Sequence, residues 1–458
     1  MEKSDKKIIK GWVFYDWANS VYNLVVSSSI FPIFYDTITT NRFKANYFKV
    51  PIDQAREMSL PEGVGVMVDF FGIKFSNSVL MSFVLAASFL VVSFLSPLLS
   101  GVADYSGNKK RFMQFFSLLG AVACTTLFFF DELPIELGML SVFFASIGFW
   151  NSLVFYNAFL PEIAPVEDHD KISARGFIMG YFGSMILLIF CLVWMQVFHQ
   201  PAKYCFLFVG LWWFGFSQVT FRVLPNNVFG KKPTKGILWR GFMELGFVFK
   251  EFKTTKRLKR FLYSFFFFNT GVQTVMLMAT IFASREIDWP EGSGSTGLII
   301  AILLIQIVGA LGAFLMSRLS RVIGNIKTLV ISVVIWLVIC GMGMIVKTPV
   351  DFYILASMVG LVMGGVQAMA RSTYSKFLPD YTTDHASYFS FYDVTEKLGI
   401  VVGLAFFGVM EILTGSIRYS VLSVAFFFLV GLVLLFFIPK EEVKMVPYKK
   451  PKKDEEII

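Results

Sequence analysis

Long apolar runs broken by short polar turns dominate the chain. Twelve of them approach or exceed the ~20 residues that cover a hydrocarbon core roughly 30 Å thick. They lie near residues 11–35, 76–101, 112–130, 136–160, 176–198, 204–224, 259–283, 295–316, 328–347, 352–377, 387–411 and 417–438. Runs of this length read as membrane-spanning helices, so the predicted fold is all-α and polytopic. Lys3, Lys6, Lys7 and Lys10 precede the first run in the manner of a secretory leader. That run is too long for a leader, carries Asp16 and Asn19 and shows no small-residue cleavage pattern, so it reads as a retained span. The interval 36–75 alternates weakly from Val66 to Phe75 and predicts a small hairpin.

The longest polar interval divides six spans from six. The expected organisation is a first bundle over 1–224, a linker over 225–258, and a second bundle with a basic tail over 259–458. Within the linker Trp239, Phe242, Leu245, Phe249 and Phe252 share one helical face, while Arg240, Glu244 and Glu251 lie elsewhere. An amphipathic helix lying on the membrane surface is expected, or one that binds a partner.

The halves resemble each other. SGVADYSGNKKR follows the second span and SRLSRVIGNIK follows the eighth, pairing Ser100 with Ser317, Gly107 with Gly324 and Asn108 with Asn325 at one offset. FLPE after the fourth span answers FLPD after the tenth at nearly the same offset. Parallel repeats of six spans are how many carriers are built, with the solute between the halves near mid-membrane.

Composition agrees with this picture. Hydrophobic residues make up 56% and charged residues 16% of the 458 positions, against roughly 45–50% and about 25% in soluble domains. Fifty-four phenylalanines and a mean hydropathy of +0.66 exceed what a soluble core hides, so the surplus faces lipid. The net charge of +9 is a matter of topology. Of the 41 Lys and Arg, 31 fall on the amino-terminal side of the predicted spans, 9 on the other, and Lys397 lies within a span. The positive-inside rule then makes both termini cytoplasmic, and a nucleic-acid surface is the poorer account. Cys124, Cys191, Cys205 and Cys340 each sit in apolar runs without a partner at ligand spacing and read as small packing residues.

The tight turn between spans two and three needs glycine, a carboxylate near a helix end and basic anchors. Asp104, Gly107, Lys109, Lys110 and Arg111 supply them. The pattern resembles the signature loop of the major facilitator superfamily, with Ser100 where its first glycine stands. The resemblance implies a gating role for these five residues, latching the two bundles in one access state. In the second copy Arg321 stands where the aspartate would be. GWVFYDWANSVYNLVVSSSIFPIFY, from Gly11 to Tyr35, and GGVQAMARSTYSKFLPD, from Gly364 to Asp380, resemble the vacuole-effluxer-like branch of that superfamily. Its fungal members are associated with release of neutral amino acids, and the resemblance implies twelve helices in two pseudo-symmetric bundles.

Ionisable and amide side chains inside spans are expensive, on the order of 2.5–3.5 kcal/mol for a charge, and mark candidate sites. Asp16, Asn19, Ser20, Asn23 and Ser27 form one stripe down the first span. Asn269 and Gln273 lie one turn apart in the seventh, Gln367, Arg371 and Tyr374 share a stripe in the tenth, and Trp150, Asn151 and Asn157 occupy the fourth. The resemblance implies that spans one, four, seven and ten line the central cavity. In the eleventh span Asp393 and Lys397 are four apart and able to pair along the helix, with Glu396 beside them. Two arrangements stand open. Asp16 holds an ammonium while Arg371 or Lys397 holds a carboxylate of one zwitterion, or Asp16 and Arg371 pair directly as a gate. Asp16 and Glu396 are the candidates for a coupling proton, since a carboxylate in a dry site can take up and release one as access alternates.

GSGSTG, Gly292 to Gly297, follows no strand and reads as a flexible turn in which Ser295 or Thr296 caps the next helix. His169, His199 and His385 are scattered, and no cofactor or metal site is expected. The resulting expectation is a monomeric secondary transporter for a small polar or zwitterionic solute, not an enzyme, in a bacterial inner membrane. A nontransporting receptor or scaffold, using the outer loop and linker helix, is the competing class.

Overall fold

The computed structural model describes residues 5–61, 64–226, 237–290 and 294–440. Lys231, Lys232, Lys235 and the basic tail from 441 lie outside them, as do the side chains of Trp239, Arg240 and Glu244. In lipid every backbone polar group must find its partner within the protein, and helices do so within a single segment. Eleven helices among the described residues are long and apolar enough to cross a membrane.

The first expected span is the exception. It extends beyond the predicted 11–35 as α1 (Lys6–Val21), a π-helical stretch (Tyr22–Ile30) and α2 (Phe31–Phe48). Pro32 has no N–H to give the turn before it, and the chain passes into wider π turns just ahead. It stays helical afterwards because Phe31, Tyr35 and Thr39, at four-residue intervals, keep one face buried. Arg42 also ties the far end down by donating to the carbonyls of Asp131 at 2.8 Å and Leu133 at 3.1 Å. A short α3 (Ile52–Glu57) and the expected hairpin follow. Strands β1 (Met67–Phe70) and β2 (Ile73–Ser76) pair antiparallel about Phe71 and Gly72, both at positive φ, as a two-residue turn requires.

The first bundle continues with α4 (Asn77–Ser106), α5 (Lys109–Thr126), α6 (Ile135–Ala158), α7 (Leu160–Ile163), α8 (His169–Gln196) and α9 (Lys203–Val223). The linker helix α10 (Ile237–Thr254) precedes the second bundle: α11 (Lys256–Glu286), α12 (Gly294–Ile323), α13 (Asn325–Met342), α14 (Pro349–Lys376), α15 (His385–Thr414), α16 (Ile417–Ser423) and α17 (Ala425–Phe436). Because α12 starts at Gly294, Ser295 and Thr296 lie inside its first turn rather than capping it. All four cysteines are buried and free.

The two halves match at their turns. Gly107 (φ +72°) ends α4 and Gly324 (φ +86°) precedes α13, each supplying the left-handed backbone its short connection needs. Within the second bundle α12 and α14 touch backbone to backbone, since a methyl group at Gly312 would overlap the Leu361 carbonyl. Between bundles, α8 packs on α12 and α14, and α15 packs on α4 and α6. The linker helix lies against α4, with Val248 fully buried. Phe249 and Phe252 sit 5.9 and 5.8 Å from the Phe391 ring of α15. Phe242 and Phe249 remain largely exposed, so the apolar face is shared between protein and surroundings.

Candidate substrate site and gate

Three layers of polar contact join the bundles, beginning at the face that carries the amino terminus, here the N-terminal face. In the outermost layer Asp104 accepts from the backbone N–H of Ser387 at 2.7 Å and of Ala386 at 3.2 Å. A helix N-terminus is a natural anion seat, so the carboxylate of α4 grips the start of α15 across the bundle boundary. Lys109 lies 3.4 Å from Asp104 and also pairs with Glu162. Lys110 donates to the Leu224 carbonyl at 2.7 Å. Gly107 makes the turn that brings these groups together. Arg111 is exposed and stands outside this cluster, correcting the expectation that it belongs to the latch. Lys109 and Lys110 meet the local need for cations, which leaves Arg111 free to stay in water.

The second copy of the loop also meets a carboxylate across the bundle boundary, with the polarity reversed. Arg321 is exposed. The carboxylate comes from Asp170 at the start of α8, on the opposite bundle. It accepts from Asn325 Nδ2 at 2.7 Å, Ser320 Oγ at 2.9 Å and Lys376 Nζ at 2.6 Å. The sequence reading missed Asp170 because it looked for the acid within the repeat. The signal was present in the acid two residues after Asp168, at a helix start facing the repeat. Between the latches a cleft of about 500 Å³ remains, lined in part by Lys109, Lys110, Glu162, His169, Lys376 and His385.

Deeper lies the pair formed by Asp16 and Arg371. Arg371 Nη1 is 3.4 Å from Asp16 Oδ2, with both side chains almost wholly buried. Tyr156 donates its hydroxyl to the same oxygen at 2.8 Å. The guanidinium further donates to Asn157 Oδ1, Ser173 Oγ and the Ser173 carbonyl at 3.3, 2.9 and 2.8 Å. It also packs over the rings of Phe177, Trp12 and Tyr156. Gly176 makes this possible, since a methyl group there would strike Asp16 Oδ2, Arg371 Nη2 and Tyr156 Oη. The sequence flagged the two charges but not the glycine, which gives no sign of its role without its neighbours.

The third layer lies about three turns into α15. Lys397 Nζ is 3.0 Å from Asp393 Oδ1, 3.4 Å from Glu396 Oε2 and 3.3 Å from the centre of the Trp150 ring on α6. Glu396 Oε1 accepts from Gln273 Nε2 at 2.7 Å. Gln367 Oε1 accepts from Tyr181 Oη at 3.2 Å, joining α14 to α8. Glu396, Gln273, Gln367 and Trp150 are half-buried, and Asn23 in the π-helical stretch is exposed. Asn19, Asn151 and Asn269 are instead buried. Asn151 Nδ2 donates to the Ile147 carbonyl of its own helix at 3.0 Å, and its Oδ1 is buried without a partner among the described residues. Asn19 Nδ2, Asn269 Nδ2 and Asp393 Oδ2 have no partner among the described residues.

Comparison with known proteins follows the same lines. The model of the vacuole effluxer Atg22-like family matches residues 4–445. The MFS-type transporter YxiO of Bacillus subtilis is 30% identical, covering 96% of this chain and 97% of that protein. Autophagy-related protein 22 of Coccidioides immitis is 23% identical over 98% of this chain and 88% of its own length. Among solved structures, that of the human organic anion transporter MFSD10 covers 95% of this chain with a TM-score of 0.68 at 10% identity. At that identity the likeness is one of fold.

Proposed function

The chain belongs to the vacuole effluxer Atg22-like family of major facilitator transporters, and on that premise we propose that it carries a small zwitterionic solute, neutral amino acids foremost. The bundles over 1–224 and 259–458 rock about a central site, tethered by the linker over 225–258. The observation that carries this reading is the order of the polar layers. Two carboxylate contacts and the Asp16–Arg371 pair join the bundles at and below the N-terminal face, while deeper still Glu396, Gln273 and Gln367 are only half-buried and Asn23 is exposed. Breakable polar contacts between the bundles on one side, with incompletely buried polar groups behind them, support one half of an alternating-access cycle.

By the distribution of Lys and Arg the closed face is cytoplasmic, with both termini on that side of a bacterial inner membrane. The chain acts as a monomer, and Asp16 or Glu396 takes the coupling proton. Asp104, Gly107, Lys109 and Lys110 serve the gate, while Gln273, Gln367 and Lys397 contact the solute from the cavity wall. The test is flux into sealed liposomes containing the purified chain. Labelled leucine is expected to enter at least fivefold faster than into protein-free liposomes, and Glu396→Gln to remove most of that gain. Leucine entry equal to that of protein-free liposomes, with every other neutral amino acid behaving alike, overturns the assignment.

A further inference from the structure

The third layer contains a cation that is more enclosed than an ordinary intrahelical pair requires. Lys397 is 1% exposed, and its ammonium faces two carboxylates and the flat of an indole. Two acids with one aromatic face are the chemistry that receives a primary ammonium: charge-assisted hydrogen bonds on one side, a ring quadrupole on the other. The acids belong to α15 in the second bundle and the ring to α6 in the first, so an ammonium held there touches both moving bodies. The acids are not used up by Lys397. Asp393 Oδ2 is buried without a partner among the described residues, and the half-buried Glu396 shares its second oxygen with Gln273.

We infer that Asp393, Glu396 and Trp150 form the ammonium subsite of the solute, and that Lys397 occupies it as a tethered stand-in until the solute arrives. This rests on the zwitterion reading above and changes where the zwitterion binds. Arg371 and Asp16, already engaged with each other, are left to the gate. The arriving ammonium takes the two carboxylates, and the displaced ammonium of Lys397 takes the solute carboxylate. A zwitterion inserted into this triad of two acids and one cation adds an ion pair and leaves the net charge unchanged. A bare anion in the same place adds a third negative charge and no cation, and a bare amine that takes both carboxylates displaces Lys397 without supplying it a new partner. The pocket therefore selects molecules that carry both charges close together.

The experiment measures equilibrium binding to the full chain in lipid nanodiscs, with leucine and its two half-charged analogues, 3-methylbutylammonium and 4-methylpentanoate. Wild type is expected to bind leucine at least tenfold more tightly than either analogue. Asp393→Asn and Glu396→Gln should each weaken leucine tenfold or more. Lys397→Met should lose the preference and bind the amine as well as it binds leucine. Should Lys397→Met fail to fold, Trp150→Phe and Trp150→Leu give a graded loss that a purely structural ion pair would not produce. Leucine binding undiminished in Asp393→Asn and Glu396→Gln overturns the subsite while leaving the carrier reading intact. Absence of leucine binding in wild type, with Lys397→Met thermally stabilised by methylammonium over potassium at equal ionic strength, keeps the subsite and overturns the zwitterion reading. Absence of both overturns both.

Discussion

Arg371 and Asp16 stand 355 positions apart and meet at 3.4 Å, one from each bundle. A guanidinium has five N–H donors, and here Asp16, Asn157 and Ser173 receive five contacts from its three nitrogens. A side chain so fully engaged ties the two bundles together, and under the proposed function it is the bolt between them. Two arrangements were open from the sequence, a zwitterion held by Asp16 and by Arg371 or Lys397, and a direct Asp16–Arg371 contact; the direct contact is present in this structure.

Removing the acid tests the bolt. Asp16→Asn leaves Arg371 buried with neutral partners only, and breaking a buried pair in this way costs on the order of 3 kcal/mol. The closed N-terminal face should lose that much preference. A cysteine at Ser173 is then expected to react at least tenfold faster with a water-soluble thiol reagent added from that face, and Asp16→Glu should recover part of the protection.

Gly176→Ala reaches the same pair without deleting a polar group. The added methyl group pushes against Asp16, Arg371 and Tyr156, and overpacking of this kind costs typically about 1–3 kcal/mol. Solute flux should fall by tenfold or more while size-exclusion behaviour stays that of wild type. Normal flux would show that the contact is loose.

The two outer latches lie on different seams, so their effects should add. Asp170→Asn strips a charged acceptor from Lys376 and Asn325, and Asp104→Asn weakens the grip on the start of α15. Each should cost the closed state about 1–3 kcal/mol. Labelling of a cysteine at Ser375, which lines the cleft between them, should speed up with either change and further with both. A double-mutant cycle of Asp170→Asn with Lys376→Met should show strong coupling, whereas Asp170→Asn with Asp104→Asn should show little.

Rings and a hydrogen bond, Tyr388 Oη donating to Glu251 Oε2 at 3.0 Å, are among the contacts that hold the linker helix. Phe391→Ala removes the surface on which Phe249 and Phe252 rest. Trypsin should then cut the linker several-fold faster, with flux changed less than twofold.

The fold was legible because it depends on a property summed over some twenty residues at a time, which local detail does not disturb. The repeat was legible for a similar reason: Gly107 and Gly324 mark corresponding turns, each at a positive φ, with the same residue. The first span was misjudged at its far end, where a π stretch and Pro32 look like a terminus but act as an adjustment inside a longer helix. Of the site, the charges could be found because a charge in a span stands out, and Asp16, Arg371, Glu396 and Lys397 do meet other polar groups. The Asp393–Lys397 pair could be read from its four-residue spacing, and Asp16–Arg371 stood as one of two open arrangements, since the choice between them depends on which helices cross and at what depth. Asp170 escaped for the opposite reason: at a helix end an acid is ordinary, and only the partner bundle gives it meaning. Asn19, Asn151 and Asn269 show that a stripe of amides reports the protein-facing side of a helix without saying whether that side meets a cavity or a neighbour.

The central claim is that solute passes only if the N-terminal face can open. The direct measurement is flux through a chain carrying Asp104→Cys and Ser387→Cys, the pair whose native contact spans the seam, before and after oxidation in sealed liposomes. Oxidation is expected to stop leucine movement and reduction to restore it. A cross-linked chain that still moves solute at the uncross-linked rate, or a reduced chain that moves none, would contradict the account.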